Sequence, residues 1–178
     1  MKVTPIQTDN PKVDLVQPDV DRDSVLGVQW LHGNVGHETL RLMGVSESYN
    51  KPSTLGDERE RVHNFITRDD QLNWMIAYEN QVVGVIWVDL EVSEHLPSPA
   101  VHIMIGNPEF RGKGIGSASI MAVIEYLKKS GEKMVYSRHL IENVGSLHLL
   151  HSIGFEDLGG PYSDKDGLNW QNVSRKLQ

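Results

Sequence analysis

The sequence contains no cysteine. That excludes disulfides, thiolate metal sites and a cysteine nucleophile, and it fits a reducing cytoplasm. Long apolar runs are also missing. The longest, Val82–Val88, is far below the ~18 residues of a membrane span, so no membrane partner is expected. The opening stretch MKVTPIQTDN shows no apolar core of a signal peptide. Positive charge is in deficit, with 17 Lys and Arg against 24 Asp and Glu and a net charge of −7. Nucleic acid is therefore not an expected partner, whereas amines and basic peptides suit such a surface. No internal repeat or low-complexity segment occurs. The histidines do not fall at metal-ligand spacing with a carboxylate, so no metal site is expected.

What remains is an ordinary globular composition, 39% hydrophobic and 23% charged over 178 residues, enough for one domain spanning 1–178 with a real core. Val13–Gln17 alternates like a first strand and stops at Pro18. Asp23 or Ser24 is placed to cap a helix through Val25, Val28, Trp30 and Leu31 that ends near Gly33 or Asn34. A second helical piece covers His37–Met43. Asp57 is placed to cap a helix from Glu58 to about Thr67. Leu72–Tyr78 and Val82–Leu90, separated by ENQ, read as a hairpin, and Val101–Ile105 as the next strand. Ile120, Ile124 and Leu127 mark an amphipathic helix with Lys128 and Lys129 in its last turn and Gly131 after it. Lys133–His139 is a strand, and Asn143 caps a short helix carrying Leu147, Leu150 and Ile153. Phe155–Gly159 and Asn169–Leu177 close the chain. The fold class is mixed α/β in the order β-α-α-β-β-β-α-β-α-β-β. It predicts a central mixed sheet of six to seven strands with helices on both faces, the central β-α-β unit being a parallel crossover.

Between a strand and a helix stands EFRGKGIGS, residues 109–117. Glycine at alternate positions makes a poor strand and a poor helix, at roughly 0.5–1 kcal/mol each relative to Ala. Before a helix N-terminus, a bare backbone suits an anion, because free N–H groups and the helix dipole point at it. Two phosphate motifs fail. The P-loop spacing is broken by one extra residue between Gly106 and Gly112, and Gly114 follows Lys113 where Ser or Thr is needed. The dinucleotide pattern started at Gly112 puts Ser117 where its third glycine belongs. The remaining match is R-x-x-G-x-G, carried by Arg111, Gly114 and Gly116. Downstream, Asn143, Ser146 and Ile153–Phe155 form N-x-x-[AS]…GF.

With the element order, these two segments resemble the GCN5-related N-acetyltransferases (GNAT), and the likeness runs over nearly the whole chain. The resemblance implies the GNAT fold, acetyl-CoA as cofactor and direct acetyl transfer to a primary amine on a small molecule or a peptide N-terminus. It implies that backbone groups of Met104 and Ile105 meet the pantetheine arm. The stretch Gly112, Lys113, Gly114, Ile115, Gly116 and Ser117 would hold the pyrophosphate, with Arg111 supplying charge. Asn143 would contact the arm, a role that can coexist with plain N-capping. The family's usual tyrosine seven residues after the Asn is Leu150 here. That departure, with Ser146, is nearest to the ribosomal-protein N-terminal acetyltransferase-like branch and makes Ser146 the candidate acid. His102, on the strand before the glycines, is a candidate base by intrinsic pKa, and Glu91 and Glu94 can meet a cationic acceptor. A strand amide near Ile103–Ile105 is the expected oxyanion donor. His148 and His151 read as surface residues, and Trp74 and Trp87 as core. A homodimer, common among relatives, is compatible with the sequence. The alternative reading is an acyl-CoA-binding module without transferase activity.

Overall fold

The computed structural model describes residues 3–178; the first two residues of the expected 1–178 domain lie outside it. In chain order the elements are β1 (Ile6–Gln7), β2 (Val13–Val16), α1 (Val20–Trp30), α2 (Gly33–Leu42), α3 (Leu55–Thr67), β3 (Gln71–Tyr78), β4 (Gln81–Asp89), β5 (Ala100–Ile105), α4 (Ile115–Lys129), β6 (Met134–Leu140), α5 (Val144–Ser152), β7 (Glu156–Asp157), β8 (Tyr162–Ser163) and β9 (Asn169–Lys176). They form one mixed nine-stranded sheet in the order β1-β2-β3-β4-β5-β6-β9-β7, with β8 beside β9. Every pairing is antiparallel except β5–β6.

The expected mixed sheet with helices on both faces and a parallel crossover at its centre is therefore present. The strand count is higher than expected because β1, β7 and β8 are two residues long, too short to show an alternating pattern. Three helices precede the hairpin, at the three helical segments read from the sequence, although the element order written from them counts two. Asp19, not Asp23 or Ser24, caps α1 by accepting from Arg22 N–H. Asp23 and Ser24 lie inside that helix, buried, and Asp23 accepts the Asp19 N–H at 2.7 Å. Gly33 begins α2 rather than ending α1. Thr54 and Asp57 cap α3 reciprocally, so Asp57 is the third residue of a capping box. The ENQ hairpin is a two-residue turn with Glu79 and Asn80 both at positive φ, the geometry that matches strand twist.

Two apolar layers sandwich the sheet. On one face α4 and α5 pack Ile115, Ile120, Val123, Ile124, Leu127 and Leu150 onto Leu15, Trp74, Ile76, Ile86 and Val101. On the other, α1–α3 cover Met75, Val85 and Met104 with Trp30 and Leu31, and Trp87 packs at the margin.

The centre of the sheet is open. β5 and β6 share the single aligned pair Ala100–Tyr136, held by Tyr136 N–H to Pro99 O at 2.9 Å and Ser137 Oγ–H to Val101 O at 2.7 Å. Beyond that point they part. Gly106 N–H donates to Val83 O. Carried back along the β4–β5 register, that bond turns the backbone groups of His102 and Met104 to β4 and those of Val101, Ile103 and Ile105 to the gap, by antiparallel alternation.

Gly44 sits at φ +84, and a Cβ there would fall 2.2 Å from the Trp170 ring. Gly131 has φ +96 with nothing within 4 Å of its Cβ position. Gly131→Ala is expected to lose only about 1 kcal/mol of backbone preference, whereas Gly44→Ala also displaces the indole and is expected to lose about 1–3 kcal/mol more. Urea midpoints of the two variants measure the difference.

Candidate active site

The glycine turn closes the strand-to-helix connection. Asn107 caps the short 3-10 turn Pro108–Phe110, and Gly112 (φ +71) and Gly114 (φ +75) reverse the chain. A Cβ at either would meet nothing within 4 Å. Glycine is thus required there by backbone conformation, and the space before the turn is open. Gly114 is the α4 N-cap and offers no side-chain cap, nor is there an acidic residue in the first turn. The first bond closing the helix is Ala118 N–H to Gly114 O, which leaves the N–H groups of Ile115, Gly116 and Ser117 free of helical partners. Gly116 serves close packing, its Cβ position being 3.1 Å from Leu149.

The two cations of this turn do not both face that space. Lys113 Nζ lies over the Phe110 ring, 5.0 Å from its centre, and is not among the cavity-lining residues. Arg111 reaches back, donating from Nε to Ile105 O at 3.0 Å and from Nη2 to Thr39 Oγ1 at 2.9 Å. Burial lowers its pKa from the ordinary arginine value, with Glu38 working in the opposite direction.

A cavity of about 970 Å³ runs through the gap. Its walls include Trp87, Asp89, His102, Ile103, Met104 and Ile105 on β4 and β5, and Ser137, Arg138 and His139 on β6. Gly112, Gly114, Ile115, Gly116 and Ser117 line it from the turn, Asn143, Ser146 and His148 from α5, and Thr39, Arg41 and Leu42 from α2. The cavity thus brings together Ser146, His102, Met104, Ile105, Arg111, Asn143 and most of the glycine turn. Glu91 lies elsewhere, in a smaller pocket of about 230 Å³ with Arg68, Asp70 and Val92, which shares Asp89 with the main one. Glu94 lines neither. Met104 lines the cavity, but its side chain belongs to the core under α1–α3 and its backbone is engaged with β4. The free main-chain edge belongs to Ile103 and to the N–H of Ile105.

His102 lies on the α1–α3 face, stacked on Trp87 with ring centres 5.2 Å apart. Its Nε2 is 3.0 Å from Asp89 Oδ2. The contact is an ion pair only when the imidazole is protonated, and it is off the axis of a hydrogen bond, so His102 Nε2 has no aligned partner among the described residues. Gln71 Nε2 donates to Asp89 Oδ1 at 2.5 Å. Burial pushes the Asp89 carboxyl up, but His102, Gln71 and Arg68 together outweigh it and hold the group below its ordinary pKa.

On the opposite lip, Asn143 caps α5 by accepting Ser146 N–H at 3.1 Å and donates from Nδ2 to Leu42 O at the end of α2. Glu142 pairs with Arg41, which also holds Glu38. Leu150 is core. His151 pairs with Asp157, 3.0 Å away and outside the cavity. Trp74 is core as expected, with Nε1–H donated to Thr4 O, but Trp87 lines the cavity. Sequence reasoning missed Asp89, Arg138, His139 and Trp170. His139 is buried, its Nδ1 next to Leu140 O and its Nε2 without a hydrogen-bond partner among the described residues. These residues come from strand ends brought together only by the register, so no local spacing marks them.

The acetyltransferase (GNAT) family model matches residues 42–155, and the chain belongs to that family. An uncharacterised N-acetyltransferase of Methanocaldococcus jannaschii is 40% identical over 93 residues, 51% of this chain and 41% of that protein. A second protein of the same organism is 31% identical over 94 residues, 52% of this chain and 19% of that one. The chain therefore spans less than half the length of the curated relatives it matches. Among solved structures, RimL, a ribosomal L7/L12 alpha-N-protein acetyltransferase in complex with coenzyme A, superposes with a TM-score of 0.78 at 17% identity over 98% of both chains. The microcin C7 self-immunity acetyltransferase MccE, in complex with acetyl-CoA and AMP, gives 0.75 at 16% identity over 94% of each. The aminoglycoside acetyltransferase AAC(6')-Ib, in complex with coenzyme A, gives 0.70 at 15% over 93% of this chain and 94% of that one. At these identities the likeness is one of fold. No helix among the described residues is long and apolar enough to cross a membrane.

The lowered pKa of Asp89 gives a signed expectation. A carboxylate held below its unfolded value stabilises the fold above that value and loses the contribution as pH falls through the folded value. The stability gap between wild type and Asp89→Asn should be widest near neutrality and narrow below about pH 4. Urea midpoints at pH 7 and pH 3 read it; a gap that does not change with pH contradicts the assignment.

Proposed function

We propose that this protein is an acetyl-CoA-dependent N-acetyltransferase that passes an acetyl group directly to a primary amine. One observation carries the reading. The split between β5 and β6 leaves an unpaired strand edge leading to a glycine turn and a helix start with free N–H groups, all in one cavity.

The residues fit such a thioester cofactor. Amides from Gly112 to Ser117 would hold its pyrophosphate, since the turn is open where a Cβ would stand and the start of α4 carries no competing cap. Ile103 and Ile105 would pair with its arm in place of the missing strand. Arg111 contributes charge, and of its five N–H donors only Nε–H and one on Nη2 are engaged among the described residues. Asn143 contributes mainly by fixing α5. When bound, the cofactor supplies an activated acetyl group. The protein must then accept a proton from the amine, stabilise negative charge on the carbonyl oxygen and shield the site from water. His102 is the base in this reading, oriented by Trp87 and Asp89. The free Ile103 or Ile105 N–H is the donor at the oxygen. Ser146 is the candidate acid for the departing sulfur. Glu91 lies too far round the strand end to line the slot and keeps at most a peripheral role toward a cationic acceptor. The lack of cysteine suits a cytoplasmic setting.

One observation favours the second reading, an acyl-CoA-binding module without transfer. Leu150, at the position of the family's usual tyrosine, is buried and lines the cavity, and a leucine supplies no phenol there.

Acetyl-CoA at 100-fold its Kd should stabilise the wild-type protein by about 2.7 kcal/mol, seen as a raised Tm. Gly114→Leu should lose that shift, while Gly114→Ala, which tests backbone strain alone, should keep part of it. A wild type with no shift rejects the cofactor assignment. Thiol release against a panel of amines then separates enzyme from module. His102→Gln should lower kcat by about 100-fold and keep the acetyl-CoA shift, and Ser146→Ala should slow transfer. A full shift with no thiol release from any amine selects the module.

A further inference from the structure

The acceptor side of the slot carries a cation that no carboxylate neutralises directly. Ala100 and Tyr136 are aligned across β5 and β6, so two residues on, His102 and Arg138 stand opposite each other on the same face, flanking the gap. Both line the cavity. Arg138 Cζ lies over the Trp170 ring, 4.2 Å from its centre, and Nη1 donates to Tyr162 Oη at 3.3 Å. Among the described residues those are its contacts, and no Asp or Glu oxygen stands within ion-pair distance of it. The nearby carboxylates are occupied. Asp164 feels Arg138 at longer range, but it accepts Trp170 Nε1–H at 2.8 Å and two backbone N–H groups. Glu142 and Glu38 pair with Arg41, and Asp89 with His102.

A guanidinium presents a planar fork of donors suited to a carboxylate. The contact with Trp170 restrains this one and leaves most of its donors unspent. The arrangement therefore pairs a proton acceptor on one lip, His102, with an anion receptor on the other. Building on the acetyltransferase reading, we propose that the acceptor is an amine that also carries a carboxylate, an amino-acid-like molecule whose amine meets His102 and whose carboxylate is received by Arg138. Asp164 acts as a positioning residue in this scheme, because it holds the indole that orients the guanidinium.

The test uses matched pairs, free amino acids against their carboxamides, with acetyl-CoA saturating and thiol release as readout. The wild type should prefer the acids by about 10- to 100-fold in kcat/KM, the discrimination expected of a charged hydrogen-bonded contact. Arg138→Met should erase that preference by raising KM for the acids and leaving the amides unchanged. Arg138→Lys, which keeps the charge and loses the fork, should fall between. The acetyl-CoA thermal shift of each variant reports folding and an intact cofactor site independently. Equal use of acids and amides by the wild type overturns the proposal, as does release with neither member of any pair. So does an Arg138→Met variant that weakens both members alike. The acetyltransferase reading survives those results so long as acetyl-CoA binds and some other amine is turned over; loss of the shift in the wild type removes both.

Discussion

Two neighbouring strands in the middle of this sheet share one bridge and then separate, and the rest of the molecule is arranged around that separation. An unpaired main-chain group shut away from water costs about 1–3 kcal/mol, so a sheet does not open at its centre without support. Here β5 is held along its whole length by β4 and β6 along its whole length by β9, so neither depends on the other. The bridge at Ala100–Tyr136, reinforced by Ser137 Oγ to Val101 O, acts as the apex of a wedge. The exposed edge of β5 ends at Ile105, whose carbonyl is claimed by Arg111. The groups left over are the ones a strand-like ligand can pair.

The wedge also needs its lips held at a fixed spacing, and α2 provides that. Near its middle, Thr39 receives Arg111 from the turn that follows β5. At its end, Leu42 O receives Asn143 and Arg41 binds Glu142, both from the segment that follows β6. Residues that read as ligand contacts in the sequence, Arg111 and Asn143, thus spend their hydrogen bonds as struts. This explains why such residues suit a family motif: they set the spacing of the site whatever the ligand requires of them directly. Gly44 continues the same logic, since its missing Cβ lets the chain after α2 lie on Trp170.

The fold was largely legible because its signals are local. The apolar runs of β3 and β4, the two-residue hairpin turn, the amphipathic face of α4 and the glycine turn each depend on residues close in sequence. Failures came where longer-range or very short features decide. Two-residue strands carry no period. The start of α1 is chosen by Asp19 behind Pro18, and Asp23, an equally good cap by type, is instead buried in the first turn. The glycine turn was legible as a motif, but which backbone groups face the slot depends on ladder parity, which turns those of Met104 to β4 and those of Ile103 to the gap. The opposite wall of the cavity was barely legible. Asp89, Arg138 and Trp170 stand on three strands far apart in sequence, and nothing in the local pattern of any one of them signals a cavity.

The two faces of the slot divide the chemistry. The α4–α5 face supplies neutral backbone donors, a helix dipole and an apolar wall of Ile115, Ile120 and Leu149, suited to a ligand that arrives with its own negative charge and is gripped without formal neutralisation. The α1–α3 face carries the His102–Asp89 pair on one lip and Arg138 on the other. Each is backed by an indole, Trp87 behind the imidazole and Trp170 behind the guanidinium. An aromatic face excludes water and fixes the plane of its partner without consuming its hydrogen-bonding atoms. A strand edge positions backbone groups by register alone, but a side chain in an open gap has rotamers to lose. Ring contact restricts those rotamers before any ligand arrives, so this face is ordered by its tryptophans as the turn before α4 is ordered by its glycines.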